Sequence, residues 1–312
     1  MDGRPRIGVV GATGAVGRVT LELLRERGYE DVRAFASARS AGTTLDGGLA
    51  VEKATPEALR GAGVDVFLFS VGTRTSRELV PEAVESGALC VDKSAAFHLT
   101  DGIPLVVPEV NGARASEHQG IVANPNCSSI PLCLVLAPLR DAAGLRRVRV
   151  ATYQSAAGAG AQSMERLRAE PPEEHDLRMD WDFDGVEFDE ETKIREETRK
   201  ILELPDLPIS ATCVRVPVMI AHAEAVWVET EEPLSPGDAE RVLGAAPGVR
   251  LEPFPTPGQA KGLDEALVGR IRRDAADPSG LALFFACDNL RKGAALNAIQ
   301  IVEQVLGDRA AA

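Results

Sequence analysis

Arg6-Ile7-Gly8-Val9-Val10-Gly11-Ala12-Thr13-Gly14-Ala15-Val16-Gly17 is the stretch that decides the fold of this 312-residue chain. Arg6 to Val10 reads as a short buried strand, and Arg18 to Arg27 continues as a helix. The glycines form the turn between them, the context in which a GxxGxxG spacing carries meaning. Gly11 permits a tight turn, Gly14 lets backbone approach a pyrophosphate, and Gly17 lets the helix pack closely on the strand. Phosphates sit well at such a helix start, where N–H groups lack backbone partners and the helix dipole favours negative charge. The turn therefore predicts a dinucleotide site lined by Gly11, Thr13, Gly14, Ala15 and Val16.

The next strand, Val32 to Ala36, ends in Ser37-Ala38-Arg39-Ser40-Ala41-Gly42. An NAD site usually places Asp or Glu there for the ribose hydroxyls. A cation flanked by Ser37 and Ser40 suits a 2′-phosphate, so the expected cofactor is NADP. Val64 to Ser70 is another buried strand, whose end at Gly72-Thr73 is expected to face the cofactor. A helix over 75–86, a strand over 88–92 and a strand over 104–108 follow, and Gly120-Ile121-Val122-Ala123 leads into the next turn. This βαβ alternation predicts a parallel sheet with helices on both faces.

Asn124-Pro125-Asn126-Cys127-Ser128-Ser129 then leads into the apolar run Ile130 to Leu136, a helix start that Ser128 or Asn126 can cap. A thiol at a helix N-terminus is favoured as thiolate, so Cys127 is a candidate nucleophile. Beyond it, longer β-branched segments at 147–154, 211–218 and 223–229 indicate a mixed sheet and a second domain. Residues 165–200 are rich in charge, and the acidic run 180–191 reads as a solvated surface. Residues 288–306 read as one long helix.

Composition narrows the function. Hydrophobic residues make up 45% and charged residues 26%, which is ordinary for a globular protein. The net charge of −13 argues against nucleic-acid and anionic-membrane partners. Five scattered cysteines, with no CxxC or Cys/His cluster, predict no metal site, reduced thiols and a cytoplasmic setting. Met1 to Arg6 offers no apolar leader, and no apolar run approaches the about 20 residues that cross a bilayer.

Taken together, several blocks resemble the aspartate-β-semialdehyde dehydrogenase family. They are Gly11 to Gly17, Ser37 to Gly42, Pro104-Leu105-Val106-Val107-Pro108-Glu109-Val110-Asn111, Asn124 to Ser128, Tyr153-Gln154, Arg215-Val216-Pro217-Val218 with His222, and Asp288 to Ala295. The resemblance implies a Rossmann-type α/β domain over 1–126, completed by a C-terminal helix over 289–312. It also implies an α+β catalytic and dimerisation domain over 127–288, assembled as a homodimer or dimer of dimers. The implied reaction interconverts aspartyl phosphate and aspartate semialdehyde with NADP.

The resemblance further assigns roles. Cys127 carries the acyl group as a thioester, Gln154 orients it, and His222, with a pKa near neutrality, moves protons. Arg215 grips the substrate carboxylate, for which a planar fork is suited. Glu190 meets the substrate amino group and Lys193 the phosphate, although Glu191 can slide into the register of Glu190. Asn289 joins the cofactor set.

Two departures stand out. His98 occupies the place of a phosphate-binding arginine and would have to serve with Lys193 and Asn126, although neutral His is a poor anion ligand. The segment between Gln154 and Glu190 is shorter than the family's. Another acyl phosphate, an acyl thioester of coenzyme A or a carrier, and an inactive regulatory paralogue therefore stay open. N-acetyl-glutamyl-phosphate reductase fits less well, because its cysteine turn carries Gly where Asn126 stands.

Overall fold

The structure is a computed structural model that describes residues 4–311, with side chains through 307. Met1 to Gly3, part of the stretch read as lacking an apolar leader, and Ala312, the end of the helix expected over 289–312, lie outside the described residues. The chain divides into two units. The first runs through Pro125 and resumes at Ala294; the second spans Asn126–Gly293. Asn126 and residues 289–293 thus fall with the second unit.

Thirteen strands lie among the described residues. The first unit holds β1 (Ile7–Val10), β2 (Val32–Ala36), β3 (Thr44–Leu45), β4 (Leu49–Lys53), β5 (Val66–Phe69), β6 (Leu89–Asp92) and β7 (Ile121–Ala123). Their order is β3-β4-β2-β1-β5-β6-β7, parallel throughout apart from the short β3–β4 hairpin. Alternation along β1 decides which side chains face which layer. Ile7 and Val9 enter one core with Leu23, Leu24, Ile299 and Val302, drawn from helices Ala15–Glu26 and Leu296–Ala311. Val10 enters the other with Phe67, Phe69, Leu79 and Val80, the last two from helix Thr73–Val84. Gly8 is required on that second face, because a Cβ there would lie 2.6 Å from the Phe67 ring.

The chain leaves β1 toward β2 on one side and later returns to β5 on the other. The carboxyl ends of β1 and β5 therefore form a topological switch point, the usual ligand position in such sheets. The Gly11 turn and Gly72 both lie there.

The second unit holds β8 (Arg147–Gln154), β9 (Ile209–Arg215), β10 (His222–Glu229), β11 (Val249–Leu251), β12 (Ala266–Arg273) and β13 (Gly280–Cys287), in the mixed order β11-β12-β13-β10-β8-β9. β8 shows strict period two, with Val148, Val150, Thr152 and Gln154 buried and Arg147, Arg149 and Tyr153 exposed. Register places Arg215 beside Gln154, and Glu224 beside Thr152. Functional side chains from three strands therefore project from one end of the sheet toward the same face.

Several sequence expectations are corrected. Residues 104–108 form only an isolated bridge at Leu105, because Pro108 opens a helical turn, Pro108–Asn111, whose Asn111 side chain accepts from the Val107 N–H. The helix expected over 75–86 is Thr73–Val84. The C-terminal run is a π-helical turn at Arg291–Ala295 before helix Leu296–Ala311. Within the acidic run, Glu190 and Glu191 are buried in helix Asp189–Leu202 rather than solvated. No helix among the described residues is long and apolar enough to cross a membrane.

Candidate active site

Cys127 stands in the turn before helix Ser129–Ala143. The turn is fixed by Asn126, each of whose polar groups is bonded. Its backbone N–H donates to Glu197 at 2.8 Å, its Oδ1 accepts from Ser128 N at 2.8 Å, and its Nδ2 donates to Glu190 at 2.9 Å. The Ser128 hydroxyl makes no cap bond; the Asn126 side chain takes the first N–H instead. Cys127 is half-buried, whereas Cys90, Cys133, Cys213 and Cys287 are buried. Desolvation pushes those four thiols far up, beyond the range in which thiolate forms.

The Cys127 Sγ lies 3.2 Å from His222 Nε2. The other imidazole nitrogen, Nδ1, accepts from the Ser155 backbone N–H at 2.9 Å. The bond network thus assigns the neutral ring's proton to Nε2, pointing at sulfur. Ser155 Oγ donates to Asn289 Oδ1 at 3.1 Å, and the Ala221 N–H donates to the same oxygen at 2.9 Å. Ala221 adopts a left-handed φ of 73°, so this bond holds an unfavourable backbone immediately before His222. Asn289, expected with the cofactor, therefore commits its carbonyl to the His222 support. Burial, followed by the positive charge of Arg215, lowers His222 to about 3. The expected ring with a pKa near neutrality is instead a neutral hydrogen-bond donor across the physiological range.

Arg215 is almost fully buried. Its Nη1 donates to the Ser155 carbonyl at 2.8 Å, and its Nε donates to Asp180 at 2.8 and 3.0 Å. A Cβ built on Gly158 would lie 3.2 Å from both Arg215 Nη1 and His222 Nε2, so the two groups border one small space.

Glu190 joins several predicted residues. Its Oε1 accepts from Asn126 Nδ2 at 2.9 Å and from Gln154 Nε2 at 3.1 Å, and its Oε2 lies 3.7 Å from Lys193. Glu191 is committed elsewhere, to Cys213 N and Phe188 N, each at 2.9 Å. Lys193 bonds Asp189 at 2.6 Å. Burial pulls its ammonium down, but the Asp189 bond and the Glu190 and Glu197 charges outweigh that and hold it above its usual value. His98 lies buried in the first unit, in the surroundings of the fully buried Asp92.

In the first unit, Gly11 (φ 89°) backs onto the Ser70 carbonyl, 2.3 Å from where a Cβ would stand. Gly17 meets the Gly11 carbonyl in the same way at 2.2 Å, so neither position accepts a side chain. Gly14 and Gly72 begin helices Ala15–Glu26 and Thr73–Val84 with no side-chain cap. Thr13 Oγ1 reaches Ser40 Oγ at 3.4 Å. Ser37 and Arg39 are exposed, and Arg39 has no ion pair among the described residues. Uncapped helix starts of this kind fit the pyrophosphate of a dinucleotide. No group of three or more His, Cys, Asp or Glu that could hold a metal lies among the described residues.

Sequence reasoning missed Ser155, Gly158, Asp180 and Glu224. Glu224 is fully buried beside the Ser128 hydroxyl, and neither carboxyl oxygen has a hydrogen-bond partner among the described residues. Desolvation, with the Glu190 charge, raises it well above the usual carboxylate range. Its two-residue spacing from His222 on one strand was the available signal, since both then share a face.

A parallel nucleotide-binding sheet and a mixed-sheet unit carrying a thiol–imidazole pair define a two-unit oxidoreductase of the nicotinamide class. Residues 6–118 match the NAD binding domain of semialdehyde dehydrogenases, and residues 180–292 match the dimerisation domain. The chain belongs to the semialdehyde dehydrogenase family. It is 42% identical to the aspartate-semialdehyde dehydrogenase of Streptomyces akiyoshiensis, over 97% of this chain and 99% of that protein. Identity to the Synechocystis enzyme of the same name is also 42%, over 96% of each. The crystal structure of Vibrio cholerae aspartate semialdehyde dehydrogenase II complexed with ASA superposes with a TM-score of 0.91 at 36% identity, covering 98% of this chain and 99% of that one.

Proposed function

We propose that this protein is an NADP-dependent aspartate-semialdehyde dehydrogenase that reduces L-aspartyl-4-phosphate to L-aspartate-4-semialdehyde, reversibly, through a Cys127 thioester. The 3.2 Å pairing of Cys127 with His222, bordered by Arg215, carries this reading.

Attack by the Cys127 thiolate forms the C–S bond, and the C–O bond to phosphate breaks with its electron pair. The Gly11–Gly17 turn and Arg39 would hold NADP(H), which would supply or accept the hydride. The remaining steps belong to this chain. His222 Nε2–H donates first to sulfur, favouring thiolate, and then to the substrate oxygen as it becomes negative. Because the ring is neutral, it acts as a donor and need not take up a proton. Collapse of the oxyanion reforms C=O and returns the C–S pair to sulfur. Arg215 receives the α-carboxylate, Glu190 the amino group, and Gln154, itself held by Glu190, orients the acyl group.

A second reading, an acyl thioester as substrate, is favoured by one observation. Lys193 lies between Asp189 and Glu190, and two carboxylates discourage a phosphate dianion there. An assay of NADP reduction by aspartate semialdehyde with phosphate, arsenate or coenzyme A as acceptor separates the readings. Activity with phosphate and arsenate supports the first, and activity with coenzyme A alone replaces it.

The family's dimerisation domain and the apolar face of the mixed sheet support a homodimer. Tyr153 is 37% exposed there with Phe284 packed against it at 6.1 Å, an apolar surface a second copy would cover.

A further inference from the structure

The Arg215 guanidinium is enclosed on several sides. Asp180 takes its Nε with both carboxylate oxygens, at 2.8 and 3.0 Å. The Trp181 ring covers one face, 4.7 Å from the guanidinium carbon. The Ser155 carbonyl takes Nη1.

Asp180 is more than a chance surface partner. Arg178 N donates to the Arg215 carbonyl at 2.9 Å, and Arg215 N donates back to the Arg178 carbonyl at 2.8 Å. This antiparallel bridge ties the residues just before Asp180 to the end of β9. Trp181 also packs on Phe188, 6.4 Å between ring centres, directly before the helix that carries Glu190 and Lys193.

We infer that Asp180, aided by Trp181, is a positioning residue that fixes the Arg215 fork for the substrate carboxylate. A guanidinium recognises a carboxylate only when its plane and edge are correctly aimed. Left alone, Arg215 can rotate about its last side-chain bonds. Asp180 at Nε and Ser155 at Nη1 set the plane, Trp181 blocks one face, and the remaining Nη donors stay available. Asp180 also balances a cation that would otherwise be buried without a partner charge. The rival role, in which Asp180 occupies the fork until substrate displaces it, fits less well. Asp180 engages Nε alone, and Arg178, two residues before it, is bonded to Arg215 at the end of β9.

The inference rests on the proposed reading that Arg215 grips the substrate carboxylate. Steady-state kinetics of the full chain test both, with aspartate semialdehyde and with propionaldehyde, which lacks the carboxylate. D180N should raise KM for aspartate semialdehyde about tenfold, the loss of one charge-assisted bond of about 1.4 kcal/mol, with kcat changed less than about threefold. Asp180→Glu should recover part of that loss, and propionaldehyde turnover should stay unchanged. R215K is the control. If it leaves KM for aspartate semialdehyde unchanged, the Arg215 reading itself fails. If R215K raises KM while D180N leaves it unchanged, or lowers it as a displaced competitor would, the positioning role is overturned. A loss shared by both aldehydes also overturns it, since that marks general damage. Should D180N not fold, Trp181→Leu, which unstacks the same guanidinium, carries the comparison with the same expected and overturning results.

Discussion

Replacing His222 with Gln should change how the fold responds to acid. In the folded protein, burial and Arg215 lower the imidazole from 6.5 to about 3. Below pH 6.5 the unfolded chain takes up a proton at this position that the folded chain refuses. Stability therefore falls as pH falls from 6.5 toward 3, by about 1.4 kcal/mol per pH unit once the unfolded form is mostly protonated. Integrated from pH 7.5 to 5, the single site contributes a loss of about 2 kcal/mol. Gln can keep the bond from Ser155 N through its oxygen and donate through its amide, yet it does not titrate. Urea unfolding of both proteins at pH 7.5 and 5, at one protein concentration, isolates this contribution, because the remaining titratable groups titrate equally in both. The wild type should lose about 2 kcal/mol more than H222Q. Equal losses would mean that His222 protonates as readily in the fold as outside it, and the neutral-donor role would fail.

Two other perturbations test separate parts of the account. Arg39→Ala should raise KM for NADP by roughly 10- to 100-fold, the loss of a charged hydrogen bond to phosphate, while KM for NAD stays unchanged; an equal effect on both would remove the 2′-phosphate role. Glu224 has a raised pKa when folded, so the unfolded chain releases this proton first and the wild type loses stability as pH rises above about 4.5. E224Q should therefore gain on the wild type between pH 5.5 and 8, by up to about 1.4 kcal/mol per pH unit in urea unfolding, and a constant difference would mean the carboxyl is already ionised.

The glycine turn was legible because its constraints are local. Gly17 backs onto the Gly11 carbonyl within the same strand, turn and helix, whereas the Ser70 carbonyl behind Gly11 comes from the end of β5 and has no local signal. Cys127 was legible for the same reason, as a thiol in a polar turn before an apolar helix. Arg215 and His222 were read through resemblance, since they come to one small space beside Gly158 only through the pairing of β8, β9 and β10.

What stayed hidden depends on that pairing or on a neighbour's hydrogen bond. The charge density of 180–191 suggested solvent, but helix Asp189–Leu202 lies against the sheet and gives Glu190 and Glu191 donors from Asn126, Gln154, Cys213 and Phe188. The His222 tautomer is set by one backbone N–H at Ser155, and the lowered basicity by burial that no local pattern encodes. Asp180 sits 35 residues before the arginine it holds, inside a run that read as surface.

The central claim is that the acyl group passes through Cys127. Mixing the enzyme with aspartate semialdehyde and NADP without phosphate, then quenching rapidly in acid for intact mass and peptide mapping, tests it most directly. An aspartyl adduct on Cys127, formed together with a single-turnover burst of NADPH and absent in C127A, is the predicted result. A burst with no adduct, or with the adduct on any other residue, would contradict the account.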